Sequence, residues 1–229
     1  MSKRILFVLT SHDRKGEAND PNAAPSGFYL SEVSHPYFVF ADAGYAIDFA
    51  SPKGGKTHVD GLNLDDERNA RFWNTPELRA LSENTRAATD INPADYDAIY
   101  YAGGHATMWD FADNQALATI AAAIYERGGI AAAVCHGPAG LVNIRLNNGD
   151  YLVAGKNIAA FTNDEERAVG LYDTVPFLLA DKLAERGATH LPAANFQKQV
   201  VVSERLVTGQ NPASATGVAE AVVELLREA

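Results

Sequence analysis

A cysteine and a histidine stand side by side in the segment GGIAAAVCHGPAGL, which runs from Gly128 to Leu141. Cys135 is the only cysteine among the 229 residues, and His136 follows it directly. A thiolate is a strong nucleophile and an imidazole can act as a general base, so this pair could perform covalent catalysis. A lone cysteine is also often a small apolar filler in a buried strand, and a histidine in a turn often only forms hydrogen bonds. The pair alone leaves both interpretations open.

The surroundings of Cys135 favour the catalytic interpretation. The apolar run 129–135 is typical of a buried strand, and Pro138 fits the first turn of a short helix behind it. This strand–turn–helix order is that of a nucleophile elbow, in which a tight turn exposes the nucleophile. The N-terminus of the helix would favour a thiolate over a thiol. A sharp turn would also let His136 approach Cys135, which neighbours in a regular strand or helix cannot do.

The elements that must position this pair alternate along the chain. Apolar runs predict buried strands at 4–10, 45–51, 97–103 and 129–135. Helical periodicity predicts helices over 114–129 and 175–188, and a last helix that begins near Pro212 with Asn211 as its cap. Strands that alternate with helices are expected to form a parallel sheet wrapped by helices.

Two stretches do not follow this alternation. Residues 12–26 are rich in Asp, Asn, Pro and Gly, and residues 54–92 mix charges with Phe72 and Trp73. Ligands bind at the carboxyl ends of the strands in open α/β sheets, so we expect these stretches to be loops or small cap elements beside a site. The chain is predicted to be a single domain, 1–229, with these two insertions.

Composition excludes several classes of function. The net charge of -10 and the absence of a Lys/Arg stripe argue against nucleic-acid binding. No apolar run approaches the roughly 20 residues of a membrane span. The apolar run from Ile5 to Leu9 is shorter than the core of a signal peptide. One cysteine cannot form an internal disulfide, so we expect a soluble, cytoplasmic protein.

Several segments together resemble one family. AVCHGPAGL, with YYAGGHATMWDF (100–111) before it and AAFTNDEE (159–166) after it, is similar to the ThiJ/PfpI superfamily. The similarity extends over nearly the whole chain and includes SGFYLSEVSHPY (26–37), VPFLLADKL (175–183) and LVTGQNPASA (206–215). The branch it resembles contains heat-shock chaperone-like, glutathione-independent glyoxalases. The resemblance implies a class I glutamine amidotransferase-like fold: a flavodoxin-like three-layer α/β sandwich with a mostly parallel central sheet and small cap insertions.

The resemblance also implies roles for individual residues. Cys135 matches the elbow nucleophile, His136 matches the histidine of the Cys-His-acid triad, and Glu166 matches its acid, with Glu165 as the alternative if the register is shifted by one. Without the resemblance, these glutamates would be read as an acidic first turn of a helix. Glu32 matches a glutamate that hydrogen-bonds the cysteine sulfur, although the sequence alone would favour a surface position. We expect a raised pKa for Glu32, because two neighbouring anions repel each other.

The glycines of AGGHATMWD form the third part of the implied site. Gly103 and Gly104 follow a strand, where backbone N–H groups could turn towards an oxyanion together with the amide of His136. His105 is expected to border the substrate pocket. A flexible turn is the alternative, and Ala106 departs from the glycine that many relatives have there.

The function implied by the resemblance is the conversion of methylglyoxal, or another small 2-oxoaldehyde, to D-lactate or the matching 2-hydroxy acid. The enzyme would need no glutathione and no organic cofactor. His12, His35 and His58 show no metal-ligand spacing, so no metal is expected. The resemblance also implies a homodimer. The alternatives are a holdase chaperone or redox sensor, and a cysteine-dependent deglycase or amidase.

Overall fold

The computed structural model describes residues 2–228 of the chain. The strands, in chain order, are β1 (Arg4–Val8), β2 (Arg14–Lys15), β3 (Ala24–Pro25), β4 (Phe28–Tyr29), β5 (Ala46–Ser51), β6 (Val59–Asp60), β7 (Arg86–Ala87), β8 (Ala98–Tyr101), β9 (Ile130–Val134), β10 (Asn157–Ile158), β11 (Thr189–His190), β12 (Val200–Ser203) and β13 (Leu206–Gly209). The α-helices are α1 (Ser31–Asp42), α2 (Glu67–Asn74), α3 (Pro76–Glu83), α4 (Thr107–Asp110), α5 (Gln115–Glu126), α6 (Asn163–Ala168), α7 (Leu179–Glu185) and α8 (Ala215–Glu228). Short 3-10 helices lie at Ala88–Asp90, Pro93–Asp95, Gly137–Leu141 and Pro212–Ser214.

A central sheet of seven strands organises residues 2–228, in the order β12-β13-β9-β8-β1-β5-β7. Its neighbours pair in parallel, apart from the antiparallel pair of β12 and β13 at one edge. This arrangement confirms the predicted α/β fold with a mostly parallel sheet. Because β8 and β9 are adjacent and parallel, their carboxyl ends bring the loop at 102–106 beside Cys135.

The two faces of the sheet carry separate hydrophobic cores. Side chains alternate along β1, so Leu6 and Val8 join one core while Ile5, Phe7 and Leu9 join the other. The first core is covered by α5 and α7, and the second by α1 and α8. All five of these side chains, four in β1 and Leu9 directly after it, are fully buried. The molecule therefore has helix, sheet and helix layers, as the sequence pattern predicts.

Some boundaries differ from the sequence-based prediction. The strand predicted at 129–135 ends at Val134, so Cys135 is the first residue beyond it. The helix predicted at 175–188 is confined to Leu179–Glu185. Leu178 has an extended backbone with ψ at 118°, so the apolar residues before it lie outside the helix and pack against the first core as irregular chain. The sequence pattern does not predict β12, which lies at one edge of the sheet, or β13, which lies between β12 and β9.

The two predicted insertions contain regular structure and touch each other. Residues 12–26 form the small hairpin of β2 and β3, and residues 54–92 carry β6, α2, α3 and β7. Immediately after the first insertion, β4 pairs in parallel with β6 of the second. The amide of Tyr29, in β4, donates to the carbonyl of Gly103 over 3.0 Å. The paired segments thus lie against the glycine loop at the carboxyl end of β8.

No helix within residues 2–228 is both long and apolar enough to cross a membrane.

Candidate active site

Cys135 occupies a strained turn at the end of β9. Its φ angle is 60°, in the left-handed region that residues other than glycine rarely adopt. The turn is held by two backbone hydrogen bonds, from Cys135 N–H to the carbonyl of Gly209 and from Phe161 N–H to the carbonyl of Cys135. A glycine is required at position 137, two residues after Cys135, since a Cβ there would lie 2.3 Å from the carbonyl oxygen of Tyr101. The backbone thus has the geometry of the predicted elbow.

His136 lies between the cysteine sulfur and a carboxylate. Its Nδ1 is 3.4 Å from Sγ of Cys135, and its Nε2 is 2.7 Å from Oε2 of Glu166. An ionised carboxylate only accepts hydrogen bonds, so Nε2 carries the proton and Nδ1 presents a lone pair to the thiol. The fully buried His136 ring is covered by Phe161, whose ring centroid is 4.3 Å away. The three residues have the connectivity of a Cys-His-acid triad.

Glu166 and Glu165 lie next to each other but have different partners. The fully buried Glu165 closes a capping box with Thr162 at the start of α6. Its Oε1 also accepts hydrogen bonds from Phe196 N–H and from the side-chain amides of Gln210 and Asn211. Glu165 therefore joins α6 to the chain at 193–211, and the carboxylate beside His136 belongs to Glu166. Asn211 occupies the N-cap position before Pro212, as predicted, but its side chain serves this network and makes no cap hydrogen bond.

The Glu166 carboxylate binds a second imidazole as well. His105 Nε2 is 2.7 Å from Oε1, the oxygen that His136 does not use. Burial alone would raise the pKa of Glu166, but hydrogen bonds from His105 and His136 outweigh it and lower the pKa to about 2. Burial lowers the pKa of His105 to about 4, and the charge of His136 adds to this effect. The sequence predicted only that His105 borders the pocket, because no local pattern links it to Glu166.

Glu32 is fully buried beside the cysteine. It lies in the first turn of α1, and its Oε2 accepts a hydrogen bond of 2.7 Å from Gly103 N–H. Burial raises the pKa of Glu32 to about 8, although hydrogen bonds with Cys135 and Gly103 offset part of the effect. The sequence-based expectation of a raised pKa agrees with this value. Gly103 N–H donates to Glu32, so a substrate oxyanion could accept from it only if that hydrogen bond breaks. Its role as an oxyanion donor stays a prediction.

The cysteine is held as a thiol in this environment. Burial and the neighbouring Glu32 raise the pKa of Cys135 well above its usual value, while hydrogen bonds from the N–H groups of His136 and Gly104 lower it in part. The thiolate expected from the helix N-terminus alone is therefore not the resting form. The helix that follows is only a short 3-10 segment, and it cannot outweigh burial in an apolar pocket beside a carboxyl group.

The backbone amides of Gly104 and His136 lie beside the Cys135 thiol, where they lower its pKa in part. Amides in this position could also stabilise negative charge on an oxygen next to the sulfur. Gly104 has a φ of 109°, and a Cβ there would be 2.1 Å from the carbonyl oxygen of Gly27. Only glycine fits this position, which explains the second glycine of the GGH sequence.

One group among residues 2–228 has metal-ligating atoms close together. His105, His136 and Glu166 each offer one such atom, and these atoms lie within 4.8 Å of one another. A metal would have to replace both N–H···carboxylate hydrogen bonds of this group. The histidines considered from the sequence lie elsewhere, where His12 bonds the carbonyl of Gly16 and His35 bonds Asp66.

The comparison with known proteins identifies the family. Residues 23–225 match the model of the DJ-1/PfpI family, and the chain belongs to that family, as its sequence motifs predict. Glyoxalase 3 of Candida albicans is 33% identical over 232 residues, which cover 96% of this chain and 97% of that protein. The glutathione-independent glyoxalase HSP31 of Saccharomyces cerevisiae is 31% identical and is covered to 98%, as is this chain.

A solved structure from a bacterium has the same fold. The Rapid Encystment Protein of 24 kDa from Francisella tularensis superposes with a TM-score of 0.92 at 39% sequence identity. The alignment covers 98% of this chain and 99% of the other. The central sheet and its helices are therefore those of a DJ-1-like α/β fold.

Proposed function

We propose that this protein is a glutathione-independent glyoxalase that converts methylglyoxal, or a related small 2-oxoaldehyde, to D-lactate or the matching 2-hydroxy acid. The observation that carries the proposal is the chain of contacts from the Cys135 sulfur through His136 to Glu166, built on a strained elbow. The full-length similarity to two glyoxalases supports this reaction over other uses of a buried cysteine.

The first step is attack on the aldehyde. Nδ1 of His136, 3.4 Å from the sulfur, takes the thiol proton as Sγ of Cys135 bonds the aldehyde carbon. The carbonyl oxygen becomes an oxyanion near the amides of Gly104 and His136, and the imidazolium then protonates it to give a hemithioacetal. Glu166 stabilises the imidazolium and fixes the ring. Glu32 enters this step protonated, so that it does not repel the forming thiolate.

The second step moves a proton between two carbons. His136 takes the proton from the carbon bound to sulfur, which leaves an enediolate, and returns it to the neighbouring carbon. The hydroxyl proton on the first carbon passes to the oxygen of the second carbon, so that the first carbon becomes the thioester carbonyl. The product is a thioester of the 2-hydroxy acid with Cys135, and water must then cleave it. One imidazole can serve both carbons because the second carbon is bonded directly to the carbon that the sulfur holds. The ring has little freedom to move, since Glu166 and Phe161 hold it on two sides.

The test is methylglyoxal consumption by the purified, reduced protein without glutathione. We expect the wild type to form lactate of D configuration, and Cys135→Ala and Cys135→Ser to form none above background. The reaction should be unchanged by a chelator. A folded, reduced wild type that consumes no methylglyoxal would overturn the proposal. Cysteine-dependent cleavage of an amide or glycated amine without lactate formation would instead favour the deglycase or amidase alternative.

A further inference from the structure

A single carboxylate serves two imidazoles in this site. Each oxygen of Glu166 lies 2.7 Å from Nε2 of a different histidine, His136 on one side and His105 on the other. A triad needs only one of these contacts. The two rings lie side by side with centroids 4.0 Å apart. The arrangement therefore contains one more acid–base group than the steps assigned to Cys135 and His136 require.

The shared carboxylate fixes the same tautomer in both rings. Because an ionised carboxylate only accepts hydrogen bonds, each Nε2 carries a proton and each Nδ1 has a free lone pair. Nδ1 of His136 faces the Cys135 sulfur. Nδ1 of His105 makes no hydrogen bond with any group of residues 2–228, and it is not among the buried atoms that lack a partner. It is therefore a free base open to solvent.

The two histidines also differ in their access to water. The side chain of His136 is fully buried, whereas that of His105 is 14% exposed. The lone pair next to the sulfur is thus shielded, and the second lone pair is at the solvent side. A low pKa keeps His105 neutral and able to accept a proton near neutral pH.

We propose that His105 is the catalytic residue that activates the water for hydrolysis of the thioester on Cys135, an inference that rests on the proposed glyoxalase function. Nδ1 of His105 takes one proton from water as the water oxygen bonds the thioester carbon. The C–S bond then breaks, and the sulfur leaves with the bonding electron pair. The proton held by His105 returns through solvent to the thiolate, so the products are the 2-hydroxy acid and the free thiol.

The charges of the site support separate roles for the two histidines. Two imidazolium rings 4.0 Å apart would repel each other, so the proposed steps charge only one ring at a time. Glu166 touches both rings and can stabilise the cation on either one. His136 is cationic while the thiol and the carbons react, and His105 is cationic while water reacts. The same carboxylate therefore supports both halves of the reaction.

The test separates formation of the thioester from its hydrolysis. In His105→Gln the side-chain amide can still donate to Glu166, but the base at Nδ1 is gone. We expect lactate turnover to fall about 10²-fold, the lower range for loss of a general base. A burst of about one thioester per site should precede the slow phase, trapped with hydroxylamine as the hydroxamate of the 2-hydroxy acid. A hemithioacetal gives no hydroxamate, so the trap distinguishes the two adducts.

His35→Gln is the matched control, because His35 also pairs through Nε2 with a carboxylate, Asp66, but lies outside the site. It should keep wild-type turnover and show no burst. Unchanged turnover in His105→Gln, or a loss of both turnover and trapped thioester, would overturn the role of His105. If His105→Gln fails to fold, His105→Asn is tested in its place, with the same expected and contradicting results. An inactive wild type would instead contradict the proposed function itself.

Discussion

The backbone N–H of Gly103 lies 2.7 Å from Oε2 of Glu32, so this amide donates to a buried carboxyl group. The contact holds Glu32 against the cysteine pocket, where burial raises the pKa of the carboxyl to about 8. Glu32 is therefore protonated in the folded state near neutral pH. Its ionisation at higher pH should lower the free energy of unfolding and place a negative charge beside the Cys135 thiol.

The raised pKa predicts that the folded state becomes less stable as Glu32 ionises. The stabilising protonated form is fully present below the unfolded-state pKa of 4.5 and is lost as pH rises through about 8. Glu32→Gln stays neutral and keeps an oxygen for Gly103 N–H. Between about pH 5 and pH 9, the free energy of unfolding should fall more for the wild type than for the variant, by at most ~1.4 kcal/mol per unit of pKa shift.

Urea unfolding of both proteins in a Cys135→Ala background would measure this difference, since that background removes ionisation of the thiol. Equal pH dependence in the two proteins would mean that Glu32 titrates near its ordinary pKa when folded.

Glu166 should have the opposite pH dependence. Hydrogen bonds from two histidines lower its pKa from 4.5 to about 2, so its stabilising effect is present above about 4.5 and is lost as pH falls through about 2. Glu166→Gln lacks this acid-sensitive stabilisation and leaves one imidazole facing an amide N–H. We expect turnover to fall by ~10²-fold or more, as when a triad acid is replaced.

Thermal unfolding between about pH 5 and pH 2 measures the stability part of this prediction. The control is Glu185→Gln, since Glu185 also has a lowered pKa, through Lys182, but is exposed to solvent that screens the pair. Glu185→Gln should keep the wild-type loss of stability on acidification, whereas Glu166→Gln should lose less. The same change in stability between about pH 5 and pH 2 in both variants would contradict the central position of Glu166.

Glu165 is predicted to be a structural residue despite its place beside Glu166. In Glu165→Gln, an amide N–H would face donors from Phe196, Gln210 and Asn211, which now share the carboxylate. A hydrogen bond to a charged group contributes about 1.5–3 kcal/mol, so the variant should lose at least that much stability. Urea denaturation should show this loss, while exposed Asp164→Asn on the same helix should change stability by less than about 0.5 kcal/mol. A fully stable Glu165→Gln would show that the network is dispensable.

Gly104 is predicted to tolerate no side chain. Gly104→Ala combines a φ of 109° with a Cβ 2.1 Å from the carbonyl oxygen of Gly27. The matched variant Gly128→Ala has a similar φ of 92° but open space around its Cβ. Strain alone costs about 1–2 kcal/mol, so Gly128→Ala should lose about that much stability and keep its turnover. Gly104→Ala should lose more stability, measured by thermal unfolding, and most of its turnover.

If the two alanine variants lost equal stability and both kept full turnover, the approach of Gly104 to Gly27 would have no importance for the site.

The local parts of this site could be predicted from the sequence, because each depends on neighbouring residues. The elbow at Cys135 follows from an apolar run, a glycine and a proline next to one another. The hydrogen bond of the Gly103 amide could not be predicted, since its acceptor, Glu32, lies 71 residues away in the chain. The pKa of Cys135 could not be predicted from the turn alone either, because it depends on burial by distant segments.

The same difference between local and long-range contacts explains which strands could be predicted. The interior strands could be predicted from continuous apolar runs, as in β1 and β8, which are buried on both faces. The edge strand β12 has a mixed burial pattern with an exposed Val202, so its sequence has no comparable run. The contact of His105 with Glu166 has no sequence signal, because it arises only when the ends of β8 and β9 meet α6.

The pairing of β4 with β6 joins the second insertion to the segment that directly follows the first. The amides of Phe28 and Leu30 donate to carbonyls of His58 and Asp60, and the amide of Tyr29 between them donates to Gly103. These amides cannot reach solvent unless β4, β6 and the glycine loop separate together. In hydrogen exchange they should therefore share one opening free energy, and a substrate bound at Gly104 should slow all three at once. Occupancy of the pocket could then be read from backbone amides that donate to protein carbonyls and not to the substrate.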